Sequence, residues 1–274
     1  MPDGNAAFVG DIPENYDRYL GPVLFQPYAA DLVARLDSPE NVLELACGTG
    51  IVTRQLRKRL TLGAKIVATD LNEAMLSYAK QKFESSETIE WKQADATDLP
   101  FADQSFDAVL CQFGVMFFPD KEQAAREVFR VLKPGGIFLF NVWDAIEEND
   151  LPHIAHTIIS RFFDDNPPNF YEIPFSFHDS EKIESVLAQA GFRNIECSIV
   201  SMTAEAASAS ELTRGLVHGN PVIAAIRERD ESQIPEIENA IASQVAAQCG
   251  DAPVRARMRA VVCSAVRSLQ NRER

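Results

Sequence analysis

The nine residues Val42–Gly50, "VLELACGTG", contain the pattern that much of the chain repeats. An apolar run that holds one acid, Glu44, leads into a turn of small residues with Gly48 and Gly50. The run predicts a buried strand, and the apolar periodicity of residues 51–60 predicts a helix after the turn. Because glycine lacks a Cβ, such a turn can bend sharply and let a ligand approach the backbone. The stretch therefore predicts a strand, a candidate ligand-binding turn and a helix.

Strands and helices continue to alternate after this unit. Further strands are predicted at residues 64–70, 89–95, 106–113 and 137–143, with amphipathic helical segments among them. Such alternation requires right-handed crossovers, which produce a parallel sheet with helices on both faces. The sequence "KPGG", residues 133–136, predicts a glycine stop for the helix before the fifth strand. The predicted fold class is therefore doubly wound α/β.

The chain is acidic: 26 Lys and Arg residues oppose 40 Asp and Glu residues, which gives a formal net charge of −14 at pH 7. Such a surface repels phosphate backbones and anionic lipids, so no nucleic acid partner is expected. No apolar stretch reaches the roughly 18 residues of a membrane helix, and the first residues lack the pattern of a signal peptide. The five cysteines are scattered, which favours reduced thiols. We expect a cytoplasmic protein without membrane insertion.

Candidate cofactor residues follow the second and third strands. Asp70 ends the second strand, where an acid can accept both hydroxyls of an adenosine ribose, and this fits a nicotinamide dinucleotide or S-adenosylmethionine. The dinucleotide fingerprint G-x-G-x-x-G needs a third glycine where this chain has Thr53. Asp95, after the third strand, can accept from an adenine amino group while the Ala96 N–H meets the ring, which favours S-adenosylmethionine. Glu44 adds a carboxylate that suits both the organisation of the turn and a ligand with ammonium and sulfonium charges.

Five motifs occur along the chain in a fixed order: "VLELACGTG", "IVATD", "ADATDLPF", "FDAVLCQFGVMFFPD" and "VLKPGGIFLF". Together they resemble the class I S-adenosylmethionine-dependent methyltransferases, in particular the small-molecule branch around the ubiquinone/menaquinone-biosynthesis type. The likeness covers about residues 14–203. It implies a Rossmann-like, mostly parallel seven-stranded sheet with the order 3-2-1-4-5-7-6, in which strand 7 is antiparallel. It also implies a final strand at about residues 256–267.

The resemblance implies which residues bind the cofactor, S-adenosyl-L-methionine, whose product is S-adenosyl-L-homocysteine. By position these are Ala46, Gly48 and Gly50 at the methionine part, Asp70 at the ribose, Leu71 and Met75 beside the adenine, Asp95 and Ala96 at the adenine edge, Gln112 and Phe113 under the sulfonium, and Tyr16 and Tyr19 in an N-terminal cover. Plain core packing stays open as the alternative for Met75 and Phe113. Glu44, beside the turn, completes the candidate set.

We expect one methyltransferase domain, residues 1–274, with three helical additions. The cofactor-binding half is predicted at residues 37–143. The additions are a cover at residues 1–36, an insertion after strand 5 at residues 144–180 and a helical insertion before the last strand at residues 206–250. These additions are expected to form the acceptor pocket. Their phenylalanines favour a small apolar or aromatic methyl acceptor, although the same rings suit packing of the additions onto the sheet.

Methyl transfer needs little chemical activation by the protein, because a sulfonium methyl group is already a good electrophile. Alignment of the acceptor and exclusion of water can supply much of the rate, so we predict direct in-line displacement without an obligatory catalytic residue. His178, His218 and Tyr19 are the candidates for a general base, and a surface or capping role is the alternative for both histidines. No third ligand accompanies His153 and His156, so no metal site is predicted.

Two other functions stay open at this point. One is a protein of the same fold that binds S-adenosylmethionine or S-adenosylhomocysteine without methyl transfer, and the other is an NAD-type oxidoreductase. Calorimetry with S-adenosylhomocysteine against NADH separates the oxidoreductase from the rest, and turnover on a panel of metabolites separates the remaining two. The expected partner is a small-molecule methyl acceptor, and the chain is expected to be a monomer or a homodimer.

Overall fold

The computed structural model describes residues 8–163 and 165–268. Its strands are β1 Asn41–Leu45, β2 Lys65–Asp70, β3 Ile89–Gln93, β4 Phe106–Gln112, β5 Leu132–Trp143, β6 Arg193–Ala206 and β7 Val254–Val266. They form one seven-stranded sheet with the order β3-β2-β1-β4-β5-β7-β6. β1 to β5 pair in parallel, and β7 pairs antiparallel with both β5 and β6. The predicted fold class, strand order and antiparallel strand are confirmed.

The helices are α1 Ile12–Asn15, α2 Gln26–Ala34, α3 Ile51–Arg59, α4 Glu73–Gln81, α5 Lys121–Val131, α6 Asp150–Arg161, α7 Ser180–Ala190, α8 Ala209–His218, α9 Val222–Asp230 and α10 Ile234–Cys249. Between α1 and α2 the chain continues as a π-helical segment, Tyr16–Phe25. α3, α4 and α5 are the crossover helices of the parallel strands, as the sequence pattern predicts. Asp120 caps α5, since its side chain accepts the Gln123 N–H at 2.8 Å.

β1, β2 and β4 form the centre of the core, because their residues are buried consecutively and not alternately. Val42 to Leu45 are all buried, and so are Ile66 to Asp70. A sheet with one wet face shows alternating burial, so consecutive burial means that both faces are covered. The continuous apolar runs in the sequence reflect this arrangement.

The prediction that "KPGG" stops a helix with a glycine cap is wrong. α5 ends at Val131 and β5 begins at Leu132, although Gly135 within it has a left-handed φ of 83°. Pro134 has no N–H and disfavours a helical conformation at the residue before it. The Gly135 N–H donates to Arg267 O at 2.7 Å, which joins this segment to the chain just after β7. Sheet pairing therefore begins where the sequence pattern predicted a turn.

The helical segments lie in the predicted parts of the chain. α1, the π-helical segment and α2 fall within the cover predicted at residues 1–36, of which residues 1–7 lie outside the described residues. α6 follows β5 within residues 144–180, and α8 to α10 occupy most of residues 206–250. The last strand begins at Val254, two residues before the predicted start. The prediction that these helical segments cover the cofactor and form the acceptor pocket stays a prediction.

Helix length bears on membrane insertion. The α10 helix has 16 residues, whereas a membrane-spanning helix needs about 20 apolar ones. In the part of the chain that the structure describes, no helix is both long enough and apolar enough to cross a membrane.

Candidate active site

A cavity of about 220 Å³ lies at the carboxyl ends of the central strands. Its floor includes the last residues of four strands and a residue that follows β3, namely Leu45, Asp70, Gln112, Trp143 and Asp95. The volume is many times the roughly 10–15 Å³ that one water needs, so the cavity can hold a small molecule. The strand order reverses its direction between β1 and β4, and open α/β sheets bind their ligands at this point.

Most of the predicted cofactor residues meet in this cavity. Those that line it are Tyr16, Ala46, Gly48, Asp70, Leu71, Met75, Asp95, Ala96, Gln112 and Phe113. Three lie outside its wall: Tyr19, Glu44 and Gly50. The structure therefore brings residues from five separate segments to one place, while their contacts with a cofactor stay predictions.

Asp70 joins two turns that border the cavity. Its Oδ2 accepts the Gly48 N–H at 2.8 Å, and its Oδ1 accepts the Asn72 N–H at 2.8 Å. Burial raises the pKa of Asp70, and these hydrogen bonds oppose the rise. Because each carboxylate oxygen has a second lone pair, the group can accept hydrogen bonds from a ligand while the backbone holds it in place.

Two non-glycine residues on the cavity wall have a left-handed backbone. Ala46 directly follows β1 with φ 49°, and Phe113 directly follows β4 with φ 49°. Residues with a Cβ rarely adopt this conformation, which costs about 1–2 kcal/mol. The Phe113 N–H donates to the backbone O of Asn141 at 3.0 Å and to its Oδ1 at 3.1 Å, which supports the turn. Strain of this kind concentrates at ligand sites, so its position is a second indication that this edge is functional.

The two glycines of the turn have different tasks. Gly48 has φ 54° and lines the cavity, and a Cβ added there would meet no atom within 4 Å. Gly50 has φ 80° and lies before α3, outside the cavity. A Cβ added to Gly50 would approach Phe83 Cε2 to 3.0 Å and Ala79 Cβ to 3.3 Å. Close packing beneath the turn therefore favours glycine at position 50, and its expected place beside the methionine part of the cofactor stays a prediction.

Glu44 lies beneath the turn and does not line the cavity, so its burial disfavours the expected role as a charged group toward the ligand, which stays a prediction. The side chain is only 1% exposed, and its Oε2 accepts the Thr53 hydroxyl at 2.6 Å. Burial raises the pKa of Glu44 to about 8, so the group is mostly protonated at neutral pH. Thr53, where a dinucleotide fingerprint has glycine, is thus the partner that holds Glu44. Glu44 organises the turn from below.

Asp95 and Ala96 lie side by side on the cavity wall after β3. Asp95 Oδ1 accepts both the backbone N–H and the hydroxyl of Thr97, at 2.8 and 2.7 Å. These bonds fix the carboxylate, and no described residue donates to its Oδ2. The carboxylate therefore keeps a free acceptor oxygen, as recognition of an amino group requires.

Gln112 ties the cover to the floor of the cavity. Its Nε2 donates to Phe25 O at 3.2 Å, across the gap between β4 and the π-helical segment. Its Oε1 is buried and has no hydrogen-bond partner among the described residues. Buried polar atoms are nearly always paired, so an unpaired acceptor on a cavity wall is suited to a ligand that donates a hydrogen bond.

Aromatic rings line the side of the cavity that lies across the switch point from Asp70 and Asp95. Trp143 ends β5, and its ring stacks on Phe113 with centroids 3.8 Å apart and an angle of 8°. The Phe175 ring packs near the Trp143 ring, with their centroids 6.1 Å apart. The cavity thus has a polar end at β2 and β3 and an aromatic end at β5.

The three candidate bases lie outside the cavity wall. His178 Nδ1 is 2.8 Å from Phe175 O in an exposed turn, and His218 Nε2 is 3.0 Å from Glu238 Oε1. The Tyr19 ring lies 5.2 Å from the Arg18 guanidinium carbon. These contacts give each residue a local structural role. Among the described residues that line the cavity there is no histidine, lysine or glutamate, and no metal-binding cluster of three His, Cys, Asp or Glu occurs in residues 8–163 or 165–268.

Several lining residues are absent from the sequence-based set: Phe8, Phe25, Trp143, Tyr171, Asn220 and Arg257. Of these residues, only Trp143 could have been predicted from the sequence to line the cavity, because it ends the fifth strand as Asp70 ends the second. The others belong to the helical additions or to the last strand. Their register relative to the sheet depends on tertiary packing, which the periodicity of the sequence does not specify.

Comparison with known proteins defines the class. A family described as a methyltransferase domain matches residues 43–140. The ubiquinone/menaquinone biosynthesis C-methyltransferase UbiE of Cronobacter sakazakii is 31% identical over 172 residues, which cover 57% of this chain and 67% of that protein. UbiE of Idiomarina loihiensis is 31% identical over 171 residues, with the same coverage. The chain therefore belongs to the class I S-adenosylmethionine-dependent methyltransferases, of small-molecule type, and S-adenosylmethionine is its cofactor.

Solved structures share the fold. The YcgJ protein from Bacillus subtilis has a TM-score of 0.57 at 20% identity, over 88% of this chain and 99% of that chain. A Haemonchus contortus phosphoethanolamine N-methyltransferase 2, in complex with S-adenosylhomocysteine, has a TM-score of 0.58 at 17% identity, over 93% of this chain and 57% of that chain. Identities this low extend to the fold alone, so the acceptor has to be inferred from the cavity of this chain.

Proposed function

We propose that the protein transfers a methyl group from S-adenosylmethionine to a small, uncharged aromatic or apolar molecule. The observation that carries the proposal is the division of one cavity into a polar end, at Asp70 and Asp95, and an aromatic end, at Trp143 and Phe175. The polar end suits the adenosine part of the cofactor. The aromatic end suits an acceptor that is bound by apolar contact and ring stacking.

The residues at the polar end fit the cofactor. Asp70 keeps lone pairs for two ribose hydroxyls, and Asp95 keeps an oxygen for the adenine amino group. The unpaired Oε1 of Gln112 is an acceptor for an ammonium group. Gly48 leaves the space beside the turn free of a Cβ. We therefore assign these residues, with Ala96 at the adenine edge, to cofactor binding.

The charge at the aromatic end favours a neutral acceptor. Arg257 is the cation among the described lining residues, and its guanidinium is already engaged by acidic groups. Its Nη1 lies 2.9 Å from Glu148 Oε2, and its Nη2 lies 3.3 Å from Asp150 Oδ1. A cation that is neutralised in this way gives little attraction for an anionic substrate, so apolar contact is the main source of affinity.

The cofactor supplies an electrophilic methyl group when it is bound. The residues of this chain then orient the acceptor and exclude water, which is the source of rate in reactions between aligned groups. Burial raises the pKa of both Tyr16 and Tyr171 well above their usual range, so neither phenol serves as a base at neutral pH. With Asp70 and Asp95 assigned to the cofactor, we infer that the nucleophile is reactive in its own bound form or releases its proton to water.

Transfer of label from methyl-labelled S-adenosylmethionine into extracts of the source organism tests this proposal. We expect label in a neutral, organic-extractable aromatic product that mass spectrometry can identify, and much less label with the Asp70→Ala variant at a cofactor concentration that does not saturate it. The Asp107→Ala variant is the matched control: Asp107 accepts the Asn41 N–H at 2.8 Å at the opposite end of the sheet, outside the cavity. Label confined to charged, water-soluble products would contradict the proposed acceptor class.

A second candidate is a protein that binds the cofactor without methyl transfer. The lack of a histidine, lysine or glutamate among the described lining residues favours it, because cofactor binding needs no general base, whereas methyl transfer to an acceptor that must lose a proton can need one. The [4+2]-cyclase SpnF has the same fold, with a TM-score of 0.54 at 18% identity. Retained binding of S-adenosylhomocysteine together with no labelled product from any extract would support this candidate over methyl transfer.

A further inference from the structure

Two polar side chains lie within the apolar roof of the cavity. Tyr171 belongs to a single helical turn, Phe170–Glu172, and Asn220 follows α8. Both line the cavity and are almost fully buried, at 4% and 6% exposure. Apolar side chains surround them on the same wall, including Leu20, Phe170 and Leu216. A polar pair in such surroundings requires either internal partners or a ligand.

The hydrogen bonds of this pair fix the orientation of the Asn220 amide. The Tyr171 hydroxyl donates to Leu216 O at 2.6 Å. Asn220 Nδ2 donates to the same carbonyl at 2.9 Å and to the Tyr171 hydroxyl oxygen at 3.3 Å. Because a carbonyl oxygen only accepts, the atom that faces it must be the nitrogen of the amide. Asn220 Oδ1 therefore points away from this network.

The remaining oxygen is the unusual feature. None of the described residues donates a hydrogen bond to Asn220 Oδ1, although the residue as a whole is only 6% exposed. The part of the residue that stays accessible borders the cavity. Asn220 Oδ1 is not one of the fully buried, unpaired side-chain atoms of the described residues, so it is accessible from the cavity and can accept a hydrogen bond from a group that enters there.

We propose that Asn220 Oδ1 accepts a hydrogen bond from the methyl acceptor, which is therefore a neutral aromatic ring compound that carries a hydroxyl or an aromatic amino group. This inference rests on the proposed function, because it assigns the aromatic end of the cavity to the acceptor. It makes Asn220 a specificity-determining residue. Tyr171 is a positioning residue, since its hydroxyl accepts from Asn220 Nδ2 and donates to the same Leu216 carbonyl, but does not supply the acceptor oxygen.

Paired probes of one shape test this role: 2-naphthol, 2-aminonaphthalene and 2-methylnaphthalene. Binding is measured by calorimetry on the full chain saturated with S-adenosylhomocysteine. For wild type we expect one of the two donor-bearing rings to bind about fivefold to tenfold more tightly than the methyl-bearing ring, as one neutral hydrogen bond predicts. The ring that is preferred identifies the donor as hydroxyl or amino.

The Asn220→Leu variant removes the acceptor oxygen and keeps a similar volume, and Leu216 O keeps its bond from Tyr171. We expect this variant to lose the preference and to bind S-adenosylhomocysteine as wild type does. Asn220→Ala serves the same purpose if the leucine variant does not fold. Tyr171→Phe tests the positioning role, because it keeps Asn220 Oδ1 but removes the hydroxyl that holds the amide, so a preference between those of wild type and Asn220→Leu is expected.

Three results would overturn the assignment: equal affinity of wild type for all three rings, a preference that survives in both Asn220 variants, or no saturable binding of any ring. Failure of this inference is distinct from failure of the proposed function. Loss of S-adenosylhomocysteine binding to wild type would contradict the proposed function itself, whereas normal cofactor binding with no ring preference contradicts only the role of Asn220.

Discussion

Asp70 Oδ2 accepts the Gly48 backbone N–H at 2.8 Å, so the acid that ends β2 is bonded to the glycine turn that follows β1. The bond passes between neighbouring parallel strands at the edge where the cavity lies. One carboxylate thus holds the turn and borders the space for the ligand. A substitution there is expected to act on both, and a suitable control has to separate the two effects.

We predict that Asp70→Ala weakens binding of S-adenosylhomocysteine by about tenfold to a hundredfold. Hydrogen bonds to a charged group contribute about 1.5–3 kcal/mol, and the proposed ribose contacts would be lost. Calorimetry on the folded variant measures the change. Asp107→Ala is the control, because Asp107 also bonds a neighbouring strand, through the Asn41 N–H and the Lys133 ammonium, but lies outside the cavity. This variant should bind S-adenosylhomocysteine as wild type does. Equal affinity of wild type and Asp70→Ala would disprove the assignment.

Asp95→Asn tests adenine recognition. The substitution replaces an acceptor oxygen with an amide group, so we expect about tenfold weaker binding of S-adenosylhomocysteine. Asp98→Asn is the control, because Asp98 lies three residues further on, is exposed and does not line the cavity. S-inosylhomocysteine, which lacks the amino group, should bind wild type and Asp95→Asn with similar affinity. If it binds wild type as well as S-adenosylhomocysteine does, Asp95 does not recognise the adenine.

Glu44 predicts a pH dependence of stability. Its pKa is raised from about 4.5 to about 8 in the folded chain, because burial disfavours the charge. Between these values the folded state keeps a proton that the unfolded state has lost, so the free energy of unfolding falls as pH rises, by up to about 1.4 kcal/mol per pH unit. Glu44→Gln keeps an oxygen for the Thr53 hydroxyl and removes this titration. We expect a shallower slope between pH 4.5 and 8 in denaturant titrations of the variant.

The control for that experiment is Glu90→Gln, because Glu90 is partly exposed and pairs with Lys65 at 3.2 Å on the surface. Its slope should match that of wild type. Asp70 also has a raised pKa, so part of the slope should persist in Glu44→Gln. A Glu44→Gln slope identical to that of wild type would show that Glu44 does not keep its proton in the folded chain.

The parts of the fold that the sequence predicts well are those with local causes. The strand before Cys47 and the acid that ends β2 follow from apolar runs and from the position of Asp70, which is why the cofactor end was predictable. "KPGG" shows the limit: glycine and proline suggested a turn, but pairing of Gly135 with Arg267, more than a hundred residues away, makes it a strand. A contact between segments so far apart leaves no periodic signal.

The roof illustrates the same limit for the site. Tyr171 and Asn220 are 49 residues apart in sequence and meet only because the two insertions pack together. Neither has a motif around it. Glu44 is the reverse case, since its position was predicted but its protonation was not. The pKa depends on burial, and a sequence pattern shows that a residue lies in a strand without showing how completely water is excluded.

The last prediction concerns the attachment of the cover to the cofactor end. Asp17, in the π-helical segment, pairs with the Lys82 ammonium at 2.5 Å, and that ammonium also donates to Thr49 O at 2.9 Å in the glycine turn. Beside Asp17, Tyr16 lines the cavity and stacks on Phe25, with centroids 4.5 Å apart. The pair thus connects a cavity-lining segment of the cover to the turn where the cofactor is proposed to bind.

We predict that S-adenosylhomocysteine slows amide exchange in residues 16–20, because bound ligand adds contacts to Tyr16 and excludes water. Asp17→Ala should weaken S-adenosylhomocysteine binding about twofold to fivefold, since a partly exposed ion pair contributes about 0.2–1 kcal/mol. Asp31→Ala breaks an ion pair of the same kind between Asp31 on α2 and Arg35, which directly follows α2, away from the cavity, and should leave the affinity unchanged. Equal exchange in residues 16–20 with and without ligand would identify the segment as fixed scaffold that does not respond to the cofactor.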